Sequence, residues 1–177
     1  MTAIEKTKIV LDSDVIIHFI KGESFSVLVD IFPEYSYLIL DVVYKELSKM
    51  SETKTMLDNH ERFLHTISIV TFTPTGLSIK DYAQLRLTKG SGESACMIYC
   101  KDNHDVLGSS NLKDIKDFCT RHDITYLTTL DFLYYAFIRK KMTKQECNEF
   151  IRKVKVKGSY LPDNITDIAA YTCRVIL

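Results

Sequence analysis

Short runs of consecutive apolar residues alternate along this chain with stretches in which apolar residues return every three or four positions. The first pattern marks strands buried on both faces, the second amphipathic helices. Lys8-Ile-Val-Leu-Asp12 predicts a first strand, followed by a helix from Asp14 to Ile20 that stops near Gly22. A second helix is predicted over Ser26–Phe32, ended by Pro33, and a strand over Tyr37–Asp41. Val43, Leu47 and Met50 share one face of a helix over Val42–Met50, and a more polar helix follows over Lys54–Leu64. Ser68–Phe72, β-branched and aromatic, predicts the third strand. Pro74 and Gly76 break the chain before a helix over Ser78–Leu87, and the loop Lys89-Gly-Ser-Gly92 opens an apolar helix over Glu93–Cys100. Val106–Ser109 and Thr125–Thr128 predict the last two strands, with a helix over Asn111–Thr120 between them. Helices over Leu130–Lys140 and Thr143–Val154 come next, and Thr166–Ile176 fits either a strand or a helix.

Strands that alternate with helices build a parallel sheet covered on both sides. The expected fold is therefore α/β: a three-layer α/β/α sandwich around a mostly parallel five-stranded sheet. A length of 177 residues, with no repeat and no low-complexity linker, gives one domain. Its core spans residues 8–140, and a basic helical C-terminal extension spans 141–177. Apolar residues make up 46% of the chain, which excludes a disordered protein. No stretch approaches the roughly 20 apolar residues that cross a bilayer. The polar segment Met1–Lys8 lacks the organisation of a secretory signal. Five cysteines at scattered spacings are no disulfide framework, so a reducing, cytoplasmic setting is expected.

A formal net charge of zero points to no particular partner, but the charges are unevenly spread. Eight basic residues between Arg139 and Lys157 face only Glu146 and Glu149, which leaves the remainder acidic by the same margin. Arg139, Lys140, Lys141 and Lys144 are the candidates for contact with nucleic-acid phosphates. A solvated helix face laced with i,i+4 pairs explains the same stripe.

The acids point to chemistry. Ligands of a parallel sheet gather beyond the carboxyl ends of its strands. Asp12 closes the first strand, with Asp14 two residues on; Asn111 and Asp114 follow the fourth strand, and Glu93 heads the helix before it. Glu46 lies beside the apolar face of its helix, and an inward carboxylate costs several kcal/mol unless paired or bound to a metal. The helix dipole offers Glu93 only about 0.3–1 kcal/mol. A hard divalent cation would satisfy several such acids together. Each residue also has a plain structural explanation: Asp12 or Ser13 as a helix cap, Asn111 with Asp114 as a capping pair, Glu93 against the dipole, Glu46 with a lysine.

In this order the motifs resemble those of the PIN-domain family. Ile9-Val-Leu-Asp-Ser-Asp-Val-Ile-Ile17 is similar to its opening hydrophobic-Asp-Thr-Asn motif, with Ser13 for Thr and Asp14 for Asn. Glu46 matches the glutamate after the second strand, Gly92-Glu-Ser-Ala95 resembles the Gly-Glu-x-x-Ala segment, and Val106-Leu-Gly-Ser-Ser-Asn111 lies where the family has a strand and Thr-x-Asp. Asn111 thus stands where the family's fourth acid belongs. The resemblance implies hydrolysis of phosphodiester bonds, in RNA more than DNA, with Mg²⁺ or Mn²⁺ as cofactor. Asp12 and Glu93 would be the principal metal ligands, Asp114 and Asn111 completing the set, and Glu46 would assist catalysis. Ser13, Asp14, Ser109 and Asp131 would support the site. The family also implies an antitoxin protein or a second copy of the chain as partner, and no membrane.

Two other functions compete. A PIN-like module that binds nucleic acid or protein without cutting would follow from Asn111. A haloacid-dehalogenase-like phosphatase would use Asp12 as nucleophile, Asp14 as acid/base and Ser109 for phosphate, but needs a further acidic pair where only Asp131 is found. Cys96, Cys100 and His104 at i, i+4 and i+8 fit a buried helix better than a zinc site. Tyr134, Tyr135 and Phe137 fit core packing better than base stacking.

Overall fold

A computed structural model describes residues 6–177; the first five residues of the polar Met1–Lys8 segment lie outside the described residues. Strand β1 (Lys8–Leu11) leads into helices α1 (Ser13–Lys21) and α2 (Phe25–Leu28), then β2 (Ser36–Leu40), α3 (Asp41–Leu47) and α4 (Ser51–Arg62). After β3 (Ile67–Val70) come α5 (Leu77–Leu85), α6 (Ser91–Asn103), β4 (Val106–Gly108) and α7 (Leu112–Arg121). The chain continues through β5 (Tyr126–Leu127), α8 (Thr129–Ile138) and α9 (Lys144–Val156) to a 3₁₀ turn at Ile168–Ala170.

All the pairings are parallel and the strand order is β3-β2-β1-β4-β5. Ile9, Val10 and Leu11 of β1 are fully buried, as are Ile39 and Leu40 of β2, so side chains on both faces of the central strands are covered. That is why these strands read as unbroken apolar runs. Helices α1, α2, α8 and α9 pack on one another, and α5, α6 and α7 form a second group, which completes the α/β/α layering.

Three expectations need correction. Helix α2 ends at Leu28 rather than Phe32, because the chain turns before Pro33, which disfavours helical backbone at Phe32. Helix α3 ends at Leu47 rather than Met50; Met50 is half-exposed and caps α4 instead of extending the apolar face. The segment Thr166–Ile176 is neither strand nor continuous helix. It holds one 3₁₀ turn and otherwise runs along the surface, tied by side-chain bonds such as Tyr135 Oη to the Val175 carbonyl at 2.8 Å.

Residues beyond 140 belong to the same core. Helix α9 starts with a capping box, in which Glu146 and Thr143 satisfy each other's backbone amides. It buries Phe150, Ile151 and Val154, and the Phe150 ring centroid lies 4.8 Å from that of Phe19 in α1.

Candidate functional site

The topology fixes where a ligand can sit. From β1 the chain crosses to β2 on one side, and from β3 it returns to β4 on the other, so the switch point lies between β1 and β4. Leu11 pairs with Gly108 at the ends of these strands. The next residues, Asp12 and Ser109, are therefore neighbours, and Asp12 N donates to the Gly108 carbonyl at 2.8 Å.

Asp12 caps α1 with extended backbone, its Oδ1 accepting from Ser13 N at 2.8 Å. Oδ2 accepts from Ser109 Oγ at 3.3 Å. Asp14, in the first turn of the same helix, accepts from Ser110 N at 2.7 Å and from Ser109 Oγ at 3.4 Å. Ser109 thus stands between the two carboxylates. On the opposite wall Asn111 Nδ2 donates to Glu93 Oε1 at 2.8 Å and to Asp114 Oδ2 at 2.7 Å, and Lys89 Nζ donates to Asp114 Oδ1 at 2.9 Å. Asp12, Asp14, Glu46, Glu93 and Asp114 all line one cleft of about 240 Å³, together with Ser13, Asn111 and Lys89. Gly92 lets the walls approach: a Cβ there would lie 3.0 Å from Val43 Cγ2, 3.5 Å from Glu46 Oε2 and 3.8 Å from Asp12 Oδ1.

Among the described residues, five carboxylates and one lysine line this cleft. Burial, reinforced by the charges of Asp14 and Glu93, pushes the Asp12 carboxyl up to about 8. Burial and the charge of Asp114 push Glu93 up to about 7. Burial also raises Asp14, whereas the hydrogen bond from Lys89 holds Asp114 below the ordinary carboxylate range. Such displaced carboxyls in a cleft are a signature of functional sites. Among the described residues, no three His, Cys, Asp or Glu side chains already form a closed metal-binding group.

Several predicted roles change. Glu46 reaches the cleft but is exposed at its rim, so it bears no burial cost; the expected inward orientation fails because α3 stops at Leu47 and turns its polar side outward. Asn111 begins α7 without capping it through its side chain, which instead bridges Glu93 and Asp114. Asp131 is not at the cleft. It is fully buried in a capping box with Thr128 and accepts from Tyr171 Oη at 2.7 Å, a structural task at the start of α8.

The basic stripe is also reassigned. Arg139 donates to Glu34 and to the Ile31 carbonyl, stacks over Phe32 at 4.5 Å, and so sits beside the start of β2. That is the opposite end of the strands from the carboxylates, where α8 ends and α9 begins. Lys140 follows Arg139 there, Lys141 pairs with Asp30 at 2.6 Å, and Lys144 pairs with Asp167 at 2.7 Å. None of the four lines the acid cleft, and Arg139, Lys141 and Lys144 are paired with acids outside it. Lys89 is the cleft residue the motifs pass over; a lysine four positions ahead of Glu93, just before the helix, was its only sequence signal.

No family model matches the sequence, and no curated protein matches it. Among solved structures, VapBC2 from Rickettsia felis bound to a DNA fragment from its promoter superposes with a TM-score of 0.51 at 15% identity. That match covers 68% of this chain and 97% of the other. FitAcB from Neisseria gonorrhoeae gives a TM-score of 0.47 at 14% identity, with the same coverage. Both are toxin–antitoxin complexes whose toxins are PIN-domain proteins. The fold is PIN-like. At this identity the likeness is one of fold, and the PIN-like sheet carries its acids at the β1/β4 switch point in this chain. No helix among the described residues is long and apolar enough to cross a membrane. All five cysteines are free.

Proposed function

We propose that this protein is a nuclease that hydrolyses phosphodiester bonds, in RNA rather than DNA, with Mg²⁺ or Mn²⁺ held by the acid cleft. One observation carries the proposal: Asp12 is 4% exposed yet faces two further carboxylates and, among the described residues, has no ion-pair partner of its own. A buried charge in that position needs a positive partner. The donors are oxygens, the choice of hard cations, and an open wall suits Mg²⁺, which keeps several waters and takes only one or two carboxylates. When bound, such an ion supplies Lewis acidity toward water and neutralises phosphate charge.

The chain's own residues do the rest. Asp12 and Glu93 would hold the ion from opposite walls, with Asp114 and Asn111 behind Glu93. Ser109 fixes the orientation of both Asp12 and Asp14 through one hydroxyl, and Ser13 N fixes the other oxygen of Asp12. Glu46, exposed at the rim of the cleft, would accept the proton of the attacking water. Lys89 offers an ammonium to the departing or bridging oxygen. The toxin–antitoxin neighbours support a small protein partner for this chain, and its free cysteines support a cytoplasmic setting.

Asp12→Asn should lower Mn²⁺-dependent cleavage of single-stranded RNA by about 100-fold or more while the circular dichroism spectrum stays unchanged. Undiminished cleavage by that variant refutes the site. A second reading has its own support: both Asp114 oxygens are already engaged, by Lys89 and Asn111, which describes a module that binds without cutting. Calorimetry separates the two, since that module takes up no Mn²⁺ at pH 7.

A further inference from the structure

We propose that the large cavity beside the acid cleft is a nucleobase pocket, receiving the base next to the scissile phosphate of a single-stranded substrate. Its occupant is inferred from the nuclease reading; its shape and chemistry stand independently. The cavity has a volume of about 720 Å³, within the roughly 300–1,000 Å³ of small-ligand sites. Asp14 and Asn111 line both it and the acid cleft, so the two spaces adjoin through shared walls. A strand with one phosphate over the acids would carry its neighbouring nucleotide here.

The C-terminal tail builds the outer wall. Lys155 Nζ donates to the carbonyls of Pro162 and Ile165, each at 2.9 Å, and so fixes the segment that holds Tyr160 and Leu161. Tyr171 and Arg174 are tied to buried Asp131 and close the far side. The surfaces presented suit a flat, partly polar ring. Leu112 and Tyr171 offer apolar and aromatic contact, and Tyr160, 79% exposed, stands at the mouth where a base could stack.

The polar groups are few and well placed. His18 engages Thr129 Oγ1 through Nδ1 at 2.8 Å, which leaves Nε2 for the edge of a base. Lys113 brings positive charge that counters the repulsion between a phosphate and the adjoining acids, and Arg174, its charge paired with Asp131, adds guanidinium N–H donors. A peptide added as a strand would need unpaired backbone donors along an edge; this pocket offers aromatic faces, a neutral ring edge, a lysine and a guanidinium.

The test is a titration of the full chain with nucleoside 5′-monophosphates in EDTA, read by NMR shifts, so that no metal-dependent step enters. At least one nucleotide should bind. Tyr160→Ala and Leu112→Glu, both at exposed positions, should each weaken it about tenfold without changing the melting temperature. Asp12→Asn should keep nucleotide binding while losing cleavage; nucleotide binding without cleavage in the wild type leaves the pocket standing and removes the nuclease. Equal binding of ribose 5-phosphate, unchanged affinity in both pocket variants, or shifts produced by an unphosphorylated peptide but by no nucleotide overturns the pocket.

Discussion

Asp12 and His18, six residues apart on one helix, respond to pH in opposite directions. Asp12 ionises near 3.8 in the unfolded chain and at about 8 when folded. Between those values the folded state binds the extra proton, so this residue's contribution to stability falls as pH rises. His18 is driven down from 6.5 to about 4 by burial, then by Lys21. Below pH 6.5 the unfolded chain takes up a proton that the folded one refuses, and stability falls as pH drops. Above about pH 6.5 the histidine contributes nothing further, and the slope belongs to Asp12 with Glu93. The metal-free protein should therefore melt at a lower temperature at pH 8 than at pH 6.5. Asp12→Asn should flatten that slope and raise the melting temperature at pH 8 by roughly 3–8 °C. A wild-type curve that is level or rising over this window would show that Asp12 is not a burdened carboxylate.

At the scale of elements, apolar periodicity made every strand and every long helix legible, because burial of one or both faces imposes it. Ends were less legible where tertiary contacts decided them. Gly22 reads in the sequence as a helix stop, and it is one, its amide capping α1 through the His18 carbonyl. What the sequence could not reveal is that α9, more than a hundred residues later, lays Phe150 against it. A Cβ at Gly22 would lie 2.2 Å from that ring, which is fully buried and also packs on Phe19. Gly22→Ala should thus cost about 1–3 kcal/mol by overpacking, and Phe150→Ala about 3–5 kcal/mol by leaving a cavity. Combined, they should cost less than their sum, since the methyl group then enters the vacated space. Urea denaturation of the four proteins checks this; strict additivity would mean that α9 does not dock through this contact.

For the whole molecule, the sequence showed where acids would meet but not which charges were already spoken for. Asp12, Glu93 and Asp114 follow from strand ends and helix starts, so topology alone brings them together. The basic stripe misleads because its partners are remote: Glu23 holds Lys153 and Lys157, Glu34 holds Arg139, and Asp30 holds Lys141. Asp131 misleads in the same way, since its partners lie in a tail without periodicity. That tail gives the last prediction. Removing residues 159–177 takes away Tyr171 and Arg174 from a carboxylate that is fully buried, and strips from the core the buried side chains of Leu161 and Ile168. The capping bonds from Thr128 N and Oγ1 remain. The truncated chain should lose several kcal/mol, of which about 2–4 kcal/mol reflects the abandoned carboxylate. Asp131→Asn should then act with opposite signs: destabilising in the full chain, where Arg174 loses its charge partner, and stabilising in the truncated one, where the charge has none. Thermal melts of the four proteins decide it. The same sign in both backgrounds would mean that the tail only covers apolar surface and does not neutralise Asp131.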